Sequence, residues 1–311
     1  MGEGRATMTT KREDSLIQTA AEIWQDSPDE LAFQHVVLCH LGFPRSKTDA
    51  REFERSSGNA SLLLEAGRLF TGEGWQPQPL PYGSIPRLMM IAITTSAIQQ
   101  KSCQIELGRS MSDSLRQLGL ADTGATHWRR VRAQACALSA MNMKLGYRNA
   151  EGQPKTIDAK PIDEFEAWVH KDEKQLTLMP SMVELSPKFF AALEGASVPL
   201  DVRAVRALGK YPLALDVYTW LSHRLCRVKN RQGDRIPWLA LREQFGREIS
   251  DHKKFKQMMR DALKRAQLVY PTAKLDTWGS GITLLPSPPP VQKTQVLINI
   301  SGRSRELSQK G

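Results

Sequence analysis

The stretch Asp251–Tyr270, DHKKFKQMMRDALKRAQLVY, decides how the second half of this chain is read. At about 100° per residue, Phe255, Met258, Met259, Ala262, Leu263 and Ala266 gather on one side of a helix, and Lys253, Lys256, Arg260 and Lys264 on the other. Such a helix packs one face into a core and turns a positive stripe outward. An ordinary solvated helix carries the same residues, because Lys and Arg are the usual occupants of an exposed face. The flanks are what separate the two readings. Upstream, Trp238 to Phe245 reads as a shorter helix stopped by Gly246, which gives the pair the outline of a helix-turn-helix. Downstream, LVYPTAKLDTWGSGITLLP reads as two short strands around a Gly-containing loop, in the place of a wing.

The chemistry of that helix points to duplex DNA. Arg and Lys donate to guanine O6 and N7 in a major groove, and Gln pairs with adenine. The candidates are Lys253, Lys256, Gln257, Arg260 and Lys264, with Lys264 better placed for phosphate than Lys253 or Lys256, which lie nearer the helix start. Arg242 in the preceding helix and Lys274 at the expected wing are candidate backbone contacts, although both residue types also serve as plain surface charge. A second basic group, Arg129, Arg130 and Arg132, opens a helix expected over Ala125 to Met141. Its angular spread prevents all three from facing one duplex. Trp128, Trp220 and Trp238 fall on apolar faces, where core packing is the stronger expectation than base stacking.

Composition agrees with a polyanionic partner. The 311 residues include 43 Lys and Arg against 33 Asp and Glu, a formal charge of +10. A membrane-surface or RNA-binding protein would show the same excess. The sequence carries no apolar run of membrane-spanning length and no signal-peptide core, so a cytoplasmic location, on nucleoid or plasmid, is expected. Cys39, Cys103, Cys136 and Cys226 are scattered and form no CxxC pair, which suits a reducing compartment. His35, Cys39 and His40 are competent metal ligands by type, but a fourth ligand is missing, and LAFQHVVLCHLGF reads as an apolar helix. No cofactor is expected. The sequence contains no GxxxxGK[ST] phosphate loop, no acidic nuclease cluster and no Tyr beside a metal-binding His pair, so the expectation is a binder and not an enzyme.

Along the chain, Met1 to about Asp14 is polar and expected to be loose. Helices are expected over Ser15–Trp24, Pro28–Leu41 and Pro86–Gln100, a strand at CQIELG, and a capped helix at SMSDSLRQLG. Strands are then expected at Met143–Tyr147, Phe165–His170 and Leu176–Met179, and helices at Asp201–Leu208 and Tyr211–Cys226. The element order recurs after Ser186, and it predicts an α+β fold of tandem winged-helix domains with an N-terminal helical extension. The divisions are an extension over 1–80, a first winged helix over 81–180, a second, DNA-binding one over 181–290, and a flexible tail over 291–311.

Several longer stretches add a family resemblance. FPRSK at Phe43, FERSSG at Phe53, LPYGSIPRLMMIAITTSAIQ at Leu80, IELGRSMSDSLRQLGL at Ile105 and RALGKYPLALDVYTWLSHRL ending at Leu225 resemble the plasmid-encoded RepA replication initiators, from about His35 to Pro290. The chain departs from the family after LGL, where Gly124 is followed by Ala125 and not by a second glycine. The resemblance implies a protein that binds repeated double-stranded origin sequences (iterons), helps open the adjacent duplex and recruits a host helicase or primase without hydrolysing a nucleotide. It implies further that the first domain dimerises the free protein, with a monomer on each DNA repeat. A winged-helix repressor and a DNA-coating or segregation protein are the alternatives. Salt-resistant preference for one repeat separates the coating protein from the other two.

Overall fold

A computed structural model describes residues 3–58, 60–70, 72–106, 118–119, 125–148, 152–158, 160–165 and 182–292. Helices and strands are mixed along the chain, which makes the fold α+β. Of the expected helix at SMSDSLRQLG only Leu118 and Gly119 are described and of the expected strand Phe165–His170 only Phe165, while the expected strand at Leu176–Met179 and the expected tail from 293 onward lie outside the described residues.

The first helix, α1, runs Glu3–Gln25, so the segment expected to be loose is helical from Glu3. The helix expected over Pro28–Leu41 is a strand, β1 (Leu31–His35), followed by a short helix, α2 (Val36–His40). The reason is tertiary. LAFQH is buried at all five positions and pairs antiparallel with β11 (Ser197–Asp201), register Leu31 to Asp201 through His35 to Ser197. A short apolar run buried on both faces has no periodicity to distinguish strand from helix.

Strands β2 (Glu52–Ser57), β3 (Ala60–Glu65), β7 (Asn142–Arg148) and β8 (Pro154–Asp158) form one antiparallel sheet in that order. Residues from the expected extension over 1–80 therefore pair edge to edge with residues from 81–180: Leu62 faces Leu145 and Leu64 faces Met143. Strands β4 (Arg68–Phe70) and β5 (Trp75–Pro77) form a separate two-stranded hairpin. Helix α3 (Ser84–Gln100) is apolar around most of its circumference and buried accordingly. After it come β6 (Gln104–Glu106), α4 (Ala125–Ala140), β9 (Ile162–Phe165) and β10 (Met182–Leu185), with β6-β10-β9 forming a three-stranded sheet.

The second half continues with α5 (Pro187–Ala196), α6 (Val202–Leu208), α7 (Pro212–Arg224), β12 (Asp234–Pro237), α8 (Trp238–Phe245), α9 (His252–Leu268), β13 (Leu275–Trp278) and β14 (Gly281–Leu284). The last strands lie in the order β12-β14-β13. One hydrophobic core runs from Leu16 of α1 to Leu284 of β14, passing through both halves. Among the described residues, no helix is long and apolar enough to cross a membrane.

The joint between the halves is built on Arg87 of α3. Its guanidinium forms a bidentate ion pair with Asp216 of α7, Nε to Oδ1 and Nη2 to Oδ2, each 2.7 Å. Nη1 donates to the carbonyls of Pro44 and Gly83, and Nη2 to that of Phe43. All five N–H donors are thereby satisfied inside the protein, as a buried guanidinium requires. Gly42 lies against the pair: a Cβ there would sit 2.8 Å from Asp216 Oδ2.

Candidate nucleic-acid interface

Helix α9 is capped by Asp251, whose side chain accepts hydrogen bonds from the backbone N–H groups of Lys253 and Lys254. That cap fixes where the helix starts and which face the following residues take. Phe255, Met259, Ala262, Leu263 and Ala266 are buried against the core, on the face expected for them. Lys253, Gln257, Arg260 and Lys264 are exposed, and Lys256 is half-buried at the edge of the same surface. Gln257 Nε2 donates to Asp261 Oδ1 at 3.1 Å, one turn along the helix.

The turn from α8 to α9 is short and tight. Gly246 N–H closes α8 on Arg242 O at 2.7 Å, and Ile249 N–H returns to Gly246 O at 2.8 Å. A Cβ on Gly246 would lie 2.3 Å from Cδ2 of Phe255, so the glycine is needed for close approach to the α9 core anchor. Arg242 is half-buried and its Nε donates to Ile249 O at 2.9 Å, so this side chain helps to hold the turn. Glu248, within the turn, is held by Arg45 (2.7 Å) and Arg55 (2.9 Å), the arginines of the FPRSK and FERSSG stretches. Burial pushes the Glu248 carboxyl up, but Arg55 and Arg45 outweigh it and hold it below the usual carboxylate range. The turn ahead of the basic helix is thus fastened to the first half of the chain.

Trp238 organises the other side of α9. Its backbone N–H donates to Ser280 O and its Nε1 to Gly279 O, which ties the β13–β14 turn to the start of α8. The Arg260 guanidinium lies over the same indole, 5.3 Å from the ring centroid. Trp238 and Trp220 are both buried in the core, the latter edge-on to Phe245. Lys274 is exposed at the base of the β13–β14 hairpin, where its N–H donates to Ser287 Oγ, and not at the tip.

Sequence reading missed Lys254, exposed at the first turn of α9, and the pairing of Arg235 with Trp278, where the guanidinium lies 5.8 Å from the ring centroid on the three-stranded sheet. The period-2 pattern of DRIP, with Arg235 and Pro237 outward, was the available signal. The second basic group, Arg129, Arg130 and Arg132, is exposed on α4. Arg129 Nη2 is 3.4 Å from Thr126 Oγ1.

His35, Cys39 and His40 do not converge. His35 stacks on Phe189 and its Nδ1 accepts from Val37 N–H. Burial pushes the Cys39 thiol well above its ordinary range. His40 Nε2 instead meets His223 Nδ1 at 2.7 Å across the α2–α7 contact. Burial, joined by nearby Arg224 and Arg227, lowers the His40 pKa to about 4, and burial, with His40 and the same arginines, lowers that of His223 to about 4.

The fold is shared with a solved structure of RctB. The crystal structure of RctB domains 2-3 matches with a TM-score of 0.50 at 12% identity, over 85% of this chain and 99% of that one. A selenomethionine derivative of domains 2 and 3 of RctB matches with a TM-score of 0.48 at 14% identity, over 77% and 84% of the two chains. No curated protein matches the chain. The model of the plasmid-encoded RepA protein family matches residues 80–240, and the chain belongs to that family.

Proposed function

We propose that this RepA-family protein initiates plasmid replication by binding repeated double-stranded sequences at the origin, through the exposed face of α9. The observation that carries the reading is that face: Lys253, Gln257, Arg260 and Lys264 project from a capped helix held between a fastened turn and a short hairpin. The order α7, β12, α8, α9, β13, β14 supports a winged helix in the second half. The order α3, β6, α4, β7, β8 supports a related unit in the first, with Arg129, Arg130 and Arg132 as its added contacts. Arg242 and Lys274 serve as phosphate contacts at the rim, within the limits set by the Arg242 bond to the turn. The first unit dimerises the free protein, and a monomer occupies each repeat.

Binding favours opening because protein contacts offset part of the cost of bending or unstacking an AT-rich duplex. This mechanism requires no nucleotide hydrolysis and no cofactor. The protein acts in the cytoplasm on its plasmid and hands the opened origin to a host helicase or primase.

Arg260→Ala separates the interface roles. A guanidinium that reads guanine loses about 1–3 kcal/mol of binding, chiefly on the preferred repeat. A phosphate contact loses affinity equally on every duplex and reduces the salt slope by about one. Unchanged binding to all DNA removes Arg260 from the interface. The function itself is tested with a nonreplicating plasmid carrying the origin repeats, the protein being supplied in trans. Tight repeat binding without replication in a competent host would make the protein a repressor.

A further inference from the structure

A groove of about 540 Å³ lies on the flank of α9 away from Arg260, between that helix, the N-terminus of α7 and the α8–α9 turn. Pro212, Leu213, Ile249 and Met258 give it an apolar floor. Its rim carries Arg45, Lys210, Lys254 and Arg265 against the two carboxylates of Glu248 and Asp261. Both carboxylates are already engaged, Glu248 by Arg45 and Arg55 and Asp261 by Gln257. Arg265 lies over the Tyr211 ring and 3.6 Å from Glu13. The rim therefore keeps a cationic excess.

Two further features point to an anion. Helix α7 has no side-chain cap at Tyr211, and its first backbone bond of helical span is Leu215 N–H to Tyr211 O. The amides of Leu213 and Ala214, both on the groove wall, thus have no helical acceptor, and the helix dipole there favours negative charge. Arg45, whose side chain is 12% exposed, has its Nη1 enclosed and without a hydrogen-bond partner.

We propose that this groove docks an acidic peptide segment of a partner protein, one with an apolar residue beside its carboxylates. A DNA backbone would satisfy the cations but presents nothing apolar to Leu213, Ile249 and Met258. An amphipathic acidic peptide meets both floor and rim. Because Lys254 and Asp261 belong to α9, the docked segment would lie alongside the candidate DNA face without covering Arg260.

The test uses the full chain and a fluorescein-labelled acetyl-Asp-Glu-Leu-Phe-Glu-Asp amide at about 0.15 M salt. Saturable binding with a Kd below about 100 μM is expected, weakened at least about tenfold by Lys210→Glu or by Gly-Ser in place of Leu-Phe. Nitrogen-15 TROSY spectra should move the Leu213 and Ala214 amides during the titration. Lys210→Glu should leave origin-duplex binding within about twofold, which keeps the groove distinct from the DNA-binding face. No saturation by about 1 mM, or equal affinity for the Gly-Ser peptide, overturns the proposal. Parallel loss of peptide and duplex binding in Lys210→Glu would also overturn it and make the groove a phosphate contact.

Discussion

Replacing Asp216 with asparagine keeps the shape of the joint between the halves and removes its negative charge. Arg87 is 4% exposed, and its two shortest contacts to a side chain are the 2.7 Å bonds to the Asp216 carboxylate. Asparagine offers one acceptor oxygen and a donor NH2, so one of those bonds becomes donor against donor. The guanidinium would then stay buried with only the carbonyls of Phe43, Pro44 and Gly83. Breaking a buried pair by removing one partner costs about 3–5 kcal/mol, because the remaining charge is left uncompensated. That is a large share of a typical domain stability of about 5–15 kcal/mol. At about 2–4 °C per kcal/mol, the melting temperature should fall by about 6–20 °C.

Calorimetry or circular dichroism at neutral pH reads the shift, and urea melts give the free energy. The double variant Arg87→Met, Asp216→Leu should recover only part of the loss, since three backbone carbonyls lose their donor. A loss below about 1 kcal/mol for Asp216→Asn would place the pair with exposed salt bridges and refute its role as the joint.

Gly246→Ala should destabilise the protein by about 1–3 kcal/mol, seen in chemical melts, because its Cβ would displace the buried Phe255 ring. Acid should destabilise it too. The pKa values of His35, His40 and His223 are each lowered to about 4, first by burial, so an unfolded chain with ordinary histidines binds more protons as pH falls from about 6.5. Stability is therefore full above about pH 6.5 and declines toward pH 4, and His223→Gln should flatten that decline in melting temperatures measured across the range.

Helix α9 was legible because its apolar and basic residues alternate with helical period over five turns, and Asp251 marks the start by local chemistry. The short flanking elements followed from Gly246 and the GSG loop for the same local reason. Leu31–His35 was not legible as a strand, since its partner Ser197–Asp201 is distant in sequence and its own pattern is a plain apolar run. The role of Arg242 was hidden likewise: only the folded turn brings Ile249 O within reach of its Nε. Arg87 was readable in hindsight as a lone charge inside SIPRLMMIAITT, a helix otherwise suited to full burial. Its partner was not, because nothing local links Asp216 to Phe43, Pro44 and Gly83.

Those same residues belong to the stretches that carry the family resemblance. FPRSK supplies the Phe43 and Pro44 carbonyls and Arg45, FERSSG supplies Arg55, LPYGSIPR supplies Gly83 and Arg87, and LALD supplies Asp216. These stretches hold the frame, in buried positions where geometry and charge allow few substitutes. The family match over residues 80–240 ends inside α8, before α9 begins at His252. The exposed face of α9 is constrained by whatever it touches and hardly by the core behind it. The match therefore covers much of the frame that holds α9 but not α9 itself, and on the proposed reading the choice of DNA sequence would fall to the few side chains that this frame leaves facing outward.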